Sequence, residues 1–489
     1  GGDCMNDPLR KVATLMMALI IVLMLGVTSV QFLQSGTLNA DDRNARTLYR
    51  EIARDRGAIL AAGDPIAQST AVDTSFGFLR QYPEGPLYSA ITGHYSPLVG
   101  STGLESTEND LLAGTASVLA VDRLRDLITG AQPRGSTVET TIDPVIQQAA
   151  WDALGDVRGA VVVVDPRSGA ILAMVSKPAY DPNDLVTHNL TSARESWETL
   201  LNDDDDPLIN RAIGGDTYAP GSVFKLVTAA AALENGVTMS EQLPSPDVLT
   251  LPQTTTTIGN YAGSTCSPSG MMTMTDALRT SCNTTFGQLA MDVGQDAIAA
   301  QAEAFGFGQE QSIPLRVTPS RYPAELDQAQ LAMTGIGQYE VRVTPLQVAM
   351  ISAAIANHGN QMSPYLVQTV RTPSLAVVYA AEPEVQAKSI SAPTAFSLRQ
   401  AMIATVENGT GQAARVSGYT VGGKTGTAET GTEAAAHAWF TGFAGKPGET
   451  PTVAIAVIVE NAADQGVGNT GGTAAAPVAR KVFEAVLNR

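Results

Sequence analysis

The sequence predicts a mixed α/β protein with a central antiparallel sheet covered by helices, a smaller strand-rich N-terminal module and one transmembrane helix. Three features lead to this prediction. An uncharged apolar run lies near the N-terminus, and apolar, β-branched runs occur near residue 160 and again beyond residue 419. Helical patterns dominate between these two sets of strand-like runs. Strands at both ends of a segment with helices between them indicate one sheet assembled from distant parts of the chain.

The composition limits the number of domains and the class of partner. At 489 residues the chain is too long for one ordinary domain, and its length predicts two to four. A hydrophobic content of 44%, with 45 Gly and 27 Pro, is typical of a globular protein with many loops. The formal net charge is −18. Because phosphate binding requires clustered lysine and arginine, this charge argues against nucleic acid as a partner.

The N-terminal apolar run, VATLMMALIIVLMLGVTSV at residues 12–30, contains no charged side chain. A helix of this length covers the roughly 30 Å hydrocarbon layer of a bilayer. A cleaved signal peptide is the alternative, since small residues follow in TLNA, but the run is long for one. We therefore predict a transmembrane helix at 12–32 after a cytoplasmic tail at 1–11. Basic residues flank both sides, so charge alone does not place the rest of the chain outside the cytoplasm.

Residues 36–144 are predicted to form a non-catalytic module. The segments GAILAAGDPIAQST and TSFGFLRQYPEGPLYSAITGHYS contain short apolar runs broken by Gly, Pro and Asp, a pattern typical of strands and turns. DLLAGTASVLAVDRLRDLITG has helical spacing and ends at a glycine.

Residues 145–489 are predicted to form a second, larger domain that opens with a helix over TTIDPVIQQAAWDAL. GAVVVVDPRSGAILAMVS predicts a hairpin, because two β-branched runs surround a Pro- and Gly-containing turn. YTVGGKTGTAE, HAWFTGFAG and TVAIAVIVENA predict three strands near the C-terminus, and TAAAPVARKVFEAVLNR predicts an amphipathic closing helix. These pieces supply the strands of the predicted central sheet.

Two of the three cysteines, Cys266 and Cys282, are close in sequence. In an oxidising compartment a disulfide between them would close a short loop and contribute about 3 kcal/mol. Two buried free thiols are the alternative. We predict the disulfide, which agrees with a location outside the cytoplasm.

The stretch SGYTVGGKTGTAE at 417–429 fits two different motifs. From Gly418 it matches the phosphate-binding loop G-x-x-x-x-G-K-[ST], and VVVVD, ending at Asp165, offers the acidic residue such a site needs. From Lys424 it contains K-T-G, an element of penicillin-recognising serine enzymes. A phosphate loop leads directly into a helix, whereas Thr425 is followed by a Gly- and Thr-rich segment and then a strand-like run. The nucleotide interpretation is therefore disfavoured.

The segment TYAPGSVFKLVTAAAALENG contains a serine with a candidate base nearby. Ser222 opens a predicted helix, and Lys225 follows one turn later. A helix N-terminus stabilises a developing negative charge, and a neutral amine can remove the serine proton. Taken alone, S-x-x-K is more simply a capping serine with a surface lysine. Two further elements accompany it: S-x-N at Ser281 to Asn283 between two predicted helices, and K-T-G at Lys424 on a predicted strand. This ordered set is typical of penicillin-binding proteins and class A β-lactamases.

The region from about Gln147 to Arg489 resembles the transpeptidase domain of class B penicillin-binding proteins, which are peptidoglycan D,D-transpeptidases. The resemblance extends to YAPGSVFK, SCNTTF, GIGQYEVRVTPLQVAMISAAIANHG, GGKTGTAE and HAWFTGFA. Ahead of it, RDRGAILAAGDPIAQS and GSTGLE resemble the family's pedestal- or dimerisation-like N-terminal module. The resemblance covers nearly the whole chain. Within the family, the sequence resembles most closely the A-type enzymes of actinobacteria. Cysteine at the middle of S-x-N departs from the commonest form of that motif.

The resemblance implies a penicillin-binding and β-lactamase-like fold and a serine acyl-enzyme mechanism. It makes Ser222 the nucleophile toward the carbonyl between two terminal D-alanines, Lys225 the acceptor of its proton, and Ser281 a relay to the departing D-alanine. The backbone N–H groups of Ser222 and Thr427 would form the oxyanion hole. The substrate-binding residues that it implies are Asn283, Lys424, Thr425, Gly426 and Thr427. β-Lactams would acylate Ser222 and remain bound.

Related activities share this site. A class A β-lactamase needs a glutamate in E-x-x-N, and no glutamate here has asparagine three residues later. A D,D-carboxypeptidase is one alternative, since it uses the same acyl-enzyme, and a membrane-anchored β-lactam sensor is another.

No metal or other cofactor is expected, because the four histidines, His94, His188, His358 and His437, show no metal-site spacing. The sequence leaves open whether Tyr218 forms a wall of the pocket. The resemblance implies a polytopic SEDS-family glycan polymerase as a partner during growth or division.

Overall fold

The structure is a computed structural model, and it describes residues 6–33, 54–73, 77–96, 98–120, 125, 128–130, 134–215, 217–429 and 434–488. The chain divides into two compact units. One unit consists of residues 1–54 and 71–79, and the other of residues 55–70 and 80–489.

The first unit contains the N-terminal helix α1, Asn6–Thr28, which a π-helical turn extends to Leu33. Its segment Leu9–Gln31 has a mean hydropathy of 2.4 and exposes its apolar side chains. Among the described residues this is the one helix long and apolar enough to cross a membrane. An exposed apolar surface of this size is unfavourable in water, so the helix fits a single-pass membrane anchor, as predicted for residues 12–32.

The second unit contains the other helices and nearly all of the strands. In chain order the described helices after α1 are α2 Gly85–Thr92, α3 Gly103–Thr107, α4 Asn109–Leu112, α5 Pro144–Leu154, α6 Leu190–Leu201, α7 Lys225–Glu234, α8 Met274–Thr280, α9 Asn283–Val293, α10 Gln295–Ala304, α11 Gln328–Gly335, α12 Pro345–Ala356, α13 Ala392–Asn408 and α14 Ala476–Leu487. The described strands are β1 Ile59–Ala61, β2 Asp64–Ala71, β3 Phe78–Gln81, β4 Tyr95–Ser96, β5 Gly100–Ser101, β6 Thr137–Thr140, β7 Gly159–Val164, β8 Ile171–Lys177, β9 Gln242–Pro244, β10 Val248–Thr250, β11 Thr257–Gly259, β12 Met271–Thr273, β13 Gln311–Ser312, β14 Arg316–Val317, β15 Asn360–Met362, β16 Val367–Arg371, β17 Val377–Ala380, β18 Val385–Lys388, β19 Thr420–Ala428, β20 His437–Gly445 and β21 Val453–Val459.

The central sheet has five strands in the order β19-β20-β21-β7-β8, and every neighbouring pair is antiparallel. This confirms the predicted fold class, including the hairpin β7–β8 and the three C-terminal strands. All residues of β7 and β21 are buried, because helices cover both faces. Val161 and Val163 belong to a core shared with α5 and α14, whereas Val162 and Val164 belong to the core on the opposite face.

Helix α5 ends at Leu154 as predicted but begins at Pro144, four residues into the predicted segment. The Asp143 carboxylate accepts hydrogen bonds from the N–H groups of Val145 and Ile146, Pro144 occupies the first turn, and Gly155 follows the last turn. Lys177 donates from Nζ to the carbonyl groups of Trp151 and Gly155 at the C-terminal end, where the helix dipole favours a cation.

A second sheet has six strands in the order β17-β16-β6-β1-β2-β3. Strands β1 and β6 are parallel, whereas β16 pairs antiparallel with β6 and with β17. The hairpin β16–β17 lies within residues 145–489, so the segment predicted to be catalytic contributes two strands to the sheet of the N-terminal module. The sequence analysis did not foresee this pairing, because more than 200 residues of chain separate β6 from β16.

The segment DLLAGTASVLAVDRLRDLITG, predicted as one helix, is interrupted after α4, so the prediction of a continuous helix was wrong. Helix α4 ends at Leu112, just before Gly114, whose φ of +71° lies in the left-handed region. A Cβ at Gly114 would lie 2.7 Å from the Arg134 carbonyl oxygen, so the chain turns there to pack on another segment. A 3₁₀ turn at Ser117–Leu119 follows. Ala120, Arg125, Ile128 and Thr129 are again helical, and residues 121–124 and 126–127 of the predicted helix lie outside the described residues.

A buried ion triad joins β3 and α3 within the second unit. Glu105 Oε2 is 2.9 Å from Arg56 Nη2, and Glu105 Oε1 is 2.6 Å from Arg80 Nε. The Tyr82 hydroxyl also donates to Glu105 Oε1 at 3.1 Å. Burial raises the pKa of Glu105, but Arg80 and Arg56 more than offset this effect and hold it below its ordinary value. The carboxylate is therefore ionised and fully paired.

Replacing Glu105 with glutamine should destabilise the second unit by about 3–5 kcal/mol, because two buried guanidinium groups lose their counter-charge. Urea unfolding of the purified protein, followed by tryptophan fluorescence, measures the effect. Glu484→Gln serves as the control, since it removes the exposed Arg480–Glu484 pair and should cost about 0–1 kcal/mol. Equal unfolding midpoints for the two variants would contradict this assignment.

Candidate active site

Ser222 lies in a 3₁₀ turn, Gly221–Phe224, that leads directly into α7. Gly221 has a φ of +53°, and a Cβ there would lie 2.5 Å from the Thr427 carbonyl oxygen of β19. Only glycine fits both the conformation and the space. The turn that carries Ser222 is therefore held against the edge strand of the central sheet.

The segment GIGQYE supports the same turn from another side. The Gly221 N–H donates to the Gly337 carbonyl oxygen at 2.9 Å. A Cβ at Gly337 would lie 2.0 Å from the Gly221 carbonyl oxygen, so this contact also requires glycine. Helix α7 is Ala-rich and buried from Lys225 to Ala232 and is followed by Asn235 and Gly236, which agrees with the predicted helix.

Lys225, the first residue of α7, connects the Ser222 turn to the S-x-N motif. Its Nζ donates to the Ser281 carbonyl oxygen at 2.8 Å and to Asn283 Oδ1 at 2.7 Å, and it lies 3.3 Å from Ser281 Oγ. Ser281 itself ends α8 in the left-handed region, with φ 61° and ψ 40°. This conformation places Ser281 between two helices, where the sequence predicted S-x-N to lie.

Lys424 reaches the same hydroxyl from β19. Its Nζ donates to Ser281 Oγ at 2.8 Å and to the Thr425 carbonyl oxygen at 2.9 Å. Lys225 from α7 and Lys424 from β19, which are 199 positions apart, thus meet at the Ser281 hydroxyl of the α8–α9 turn. The three motifs that the sequence analysis selected are brought together.

The two lysines are fully buried, whereas the hydroxyl and amide groups beside them are not. Burial lowers the pKa of Lys225 well below its ordinary value, and the nearby Lys424 ammonium adds to this lowering. Burial also lowers the pKa of Lys424, to about 7. Ser222, Ser281 and Asn283 are half-buried. The site therefore combines half-buried hydroxyl- and amide-bearing residues with two buried amines of reduced basicity.

The remaining residues of the K-T-G-T segment differ in their surroundings. The Thr425 hydroxyl lies 2.6 Å from the Thr410 hydroxyl, on the turn after α13. A Cβ at Gly426 would lie 3.0 Å from the Pro220 carbonyl oxygen and 3.1 Å from Val223 Cγ1, so glycine lets the serine turn approach the strand. Thr427 is half-buried at the contact with Gly221.

The two cysteines lie beside the S-x-N motif. The Sγ atoms of Cys266 and Cys282 are 2.20 Å apart, as in a disulfide, and Cys282 is the middle residue of S-x-N. The bridge thus attaches this motif to the segment that follows β11.

Tyr218 and His437 pack against each other beside the segment that leads to Ser222. The Tyr218 hydroxyl donates to Glu460 Oε1 at 2.6 Å, and Glu460 is also paired with Arg211 and Arg158. The Tyr218 ring packs edge-on against His437, whose Nδ1 accepts from the Asn461 N–H. Burial raises the pKa of Tyr218, and the Glu460 carboxylate adds to that increase. Tyr218 therefore stays protonated and helps to seat the segment that leads to Ser222.

The nucleotide interpretation of residues 418–425 is wrong. Residues Thr420–Ala428 form one continuous strand, and no helix starts at Lys424 to hold a phosphate group. Within the described residues, no three His, Cys, Asp or Glu side chains gather as metal ligands.

Three residues near the site were not selected from the sequence: Asn260, Thr410 and Glu460. Thr410 lies between two glycines just after a helix, and Glu460 ends an entirely apolar strand, so each had a weak local signal. Asn260 had none, because its contacts are with residues more than 20 positions away.

Comparisons with known proteins give the same picture over nearly the whole chain. Residues 159–484 match the family model described as the penicillin binding protein transpeptidase domain, and residues 56–138 match the penicillin binding protein A dimerisation domain. The peptidoglycan D,D-transpeptidase PbpA of Mycolicibacterium smegmatis is 43% identical over 492 residues, which cover 99% of each chain.

Solved structures of similar proteins share the fold. Penicillin-binding protein A from Mycobacterium tuberculosis, in a ceftriaxone acyl-enzyme complex, gives a TM-score of 0.86 at 42% identity and covers 90% of this chain and 100% of its own. The D,D-transpeptidase domain of a peptidoglycan glycosyltransferase from Eggerthella lenta gives a TM-score of 0.77 at 34% identity, covering 89% and 99%.

Proposed function

Because this chain belongs to the penicillin-binding protein transpeptidase family, we propose that it cross-links peptidoglycan stem peptides through an acyl-enzyme on Ser222. The observation that carries the proposal is the convergence of Lys225 and Lys424 on Ser281 beside the Ser222 turn. This arrangement would supply a nucleophile, a base and a cationic substrate site.

The hydrogen bonds of Lys225 fit a neutral amine that acts as the base. A neutral amine has two N–H donors and one lone pair. The two short contacts, to the Ser281 carbonyl oxygen and Asn283 Oδ1, are with groups that only accept, so they use both donors. The lone pair is then free to accept a proton from a hydroxyl group. Burial, together with the nearby Lys424 ammonium, lowers the pKa of Lys225 and so favours this neutral form.

In the proposed acylation step, Ser222 Oγ bonds to the carbonyl carbon between the two terminal D-alanines and passes its proton to Lys225. The carbonyl oxygen gains the negative charge and is held by the backbone N–H groups of Ser222 and Thr427. When this intermediate collapses, the C–N bond breaks and the leaving D-alanine amine takes the proton through Ser281. The Lys424 ammonium and the Thr425 and Thr427 hydroxyls bind the terminal carboxylate of the substrate.

In the second step, an amine from a neighbouring stem peptide attacks the ester carbon. A new amide bond forms, the ester bond to Ser222 Oγ breaks, and the proton of the amine returns to that oxygen. A β-lactam follows only the first step: its ring C–N bond opens, the proton goes to the ring nitrogen, and the acyl group remains on Ser222.

The placement of the protein in the cell follows from the same proposal. We place residues 12–32 across the membrane, residues 1–11 in the cytoplasm, and both the N-terminal module at 36–144 and the transpeptidase domain at 145–489 outside. The apolar helix Leu9–Gln31 and the Cys266–Cys282 bridge support this topology. A SEDS-family glycan polymerase is the proposed membrane partner, because the substrate strands must be polymerised before they are cross-linked.

Transfer to an amine distinguishes the proposed cross-linking from simple hydrolysis. The full-length protein in detergent is given a peptide that ends in D-Ala-D-Ala together with a free peptide amine, and mass spectrometry quantifies both products. We expect an amide product that increases with the amine concentration and is absent when the amine is acetylated. Hydrolysis alone at every amine concentration would indicate a carboxypeptidase, and a stable acyl-enzyme without turnover would indicate a sensor. Either result would reject the proposal.

A further inference from the structure

Asn260 lies 21 residues before Ser281 of S-x-N, on the turn after β11, and is 7% exposed. Its Oδ1 accepts from the Asn283 N–H at 2.9 Å and from the Thr284 N–H at 3.2 Å. These N–H groups are at the first turn of α9, where a helix has no internal acceptors for its N–H donors. Asn260 thus caps a helix to which it does not belong.

The residue at the usual capping position cannot perform this task. Cys282 precedes α9, and its side chain makes no capping hydrogen bond there. Its sulfur is instead bonded to Cys266. Serine, threonine, aspartate and asparagine are the residues that normally cap a helix through a side-chain oxygen. The S-x-N turn therefore obtains its cap from Asn260.

The same segment holds the side chain of Asn283. The Gly259 carbonyl oxygen accepts from Asn283 Nδ2 at 3.0 Å, while Asn283 Oδ1 accepts from Lys225 Nζ at 2.7 Å. The amide group of Asn283 is thereby fixed in plane and direction between β11 and α7. One N–H of this amide remains to face a substrate.

We propose that Asn260 is a positioning residue for acylation: by capping α9 it fixes Ser281 and Asn283 against Lys225 and Lys424. The inference rests on the proposed function, since it concerns the geometry of that acyl-transfer site. Among the described residues, the side chain of Asn260 hydrogen-bonds to the S-x-N turn and to Thr284 but not to Ser222 or the two lysines, so it acts through Asn283 and this turn.

The test compares Asn260→Ala and Asn260→Asp in the full-length protein. The single-turnover rate constant for acylation by penicillin G is measured, since this constant is independent of the fraction of folded protein. We expect Asn260→Ala to be about 10- to 100-fold slower, because small displacements of catalytic groups reduce rates by such factors. Asn260→Asp keeps the acceptor oxygen and should stay within about threefold of the wild type.

Two further measurements separate positioning from general stability. Asn189 caps α6 with the same side-chain chemistry, accepting from the N–H groups of Thr191 and Ser192. Asn189→Ala should therefore leave the acylation rate unchanged. In Asn260→Ala the acidic limb of the pH–rate profile should also move to higher pH, because a looser S-x-N turn admits water to Lys225 beside Lys424. A loss of folded protein alone would not move this limb.

Non-reducing mass spectrometry of each variant should find the Cys266–Cys282 peptide pair, and alkylatable thiols at both positions would contradict the bridge.

If Asn260→Ala does not fold, Asn260→Ser, with a shorter acceptor side chain, is measured in the same way and must be acylated more slowly than the wild type. Wild-type rate and pH profile in the folded variant would overturn the role of Asn260. If the wild type itself is not acylated, the proposed function fails instead.

Discussion

Replacing Ser222 with alanine is expected to abolish covalent labelling of the protein by fluorescent penicillin. In the proposed mechanism the acyl group is held through an ester to Ser222 Oγ, and an alanine side chain has no atom that can form this bond. The 3₁₀ turn should keep its shape, since its geometry depends on Gly221 and its contacts with Thr427 and Gly337. Gel fluorescence and intact-mass measurement follow the adduct.

Ser391→Ala is the matched control for this variant. Ser391 also precedes a helix, and its hydroxyl caps α13 by accepting from the Thr394 N–H. We expect its labelling to equal that of the wild type. Labelling that persists in Ser222→Ala, or a peptide map that places the adduct on Ser281, would reject Ser222 as the nucleophile.

Replacing Lys225 with methionine should slow acylation by about 10²–10⁴-fold, the range in which a general base contributes. Methionine has a similar length and fits a buried site, but it cannot accept the Ser222 proton. Stopped-flow acylation by a chromogenic cephalosporin gives the rate constant. Lys177→Met is the control, because Lys177 is likewise buried but donates to α5 carbonyl groups on another part of the sheet. An unchanged rate in Lys225→Met would assign the base to another group.

The wild-type pH profile should be bell-shaped for the same physical reason. Lys225 is a base only when neutral, so acylation should fall as the pH decreases through its lowered pKa. Lys424 attracts a carboxylate only when protonated, so binding should weaken as the pH rises above its pKa of about 7 in the free enzyme. A bound carboxylate raises that pKa and moves the alkaline limb upward. In Lys225→Met the acidic limb should disappear, and its persistence would contradict the assignment.

The motifs were sufficient to predict which elements come together, because the local sequence around each motif favours one secondary structure. Ser222 precedes an apolar, Ala-rich stretch, Ser281 lies between two helical patterns, and Lys424 lies in a strand-like run. The central sheet was equally predictable, since its strands are long, β-branched and buried on both faces. In each case, the local sequence and the tertiary environment favour the same conformation.

Contacts made only by tertiary folding were not predictable in this way. Asn260 and Thr410 have ordinary loop sequences, and their partners are known only once the chain is folded. Helix α4 is short because Gly114 turns toward Arg134, a contact that the helical spacing of the segment does not show. The short strands β9–β12 have three residues each, too few to reveal a period.

The sharing of strands between the two modules determines where the protein can be cut. A fragment that began at residue 145 would keep β16 but remove β6, its partner along Thr137–Thr140. The freed edge of β16 would expose a row of unpaired N–H and C=O groups, which is a template for self-association. A soluble fragment for drug screening that does not self-associate should therefore start upstream of β1, near residue 55. It would then retain the strands of the N-terminal module that pair with β16.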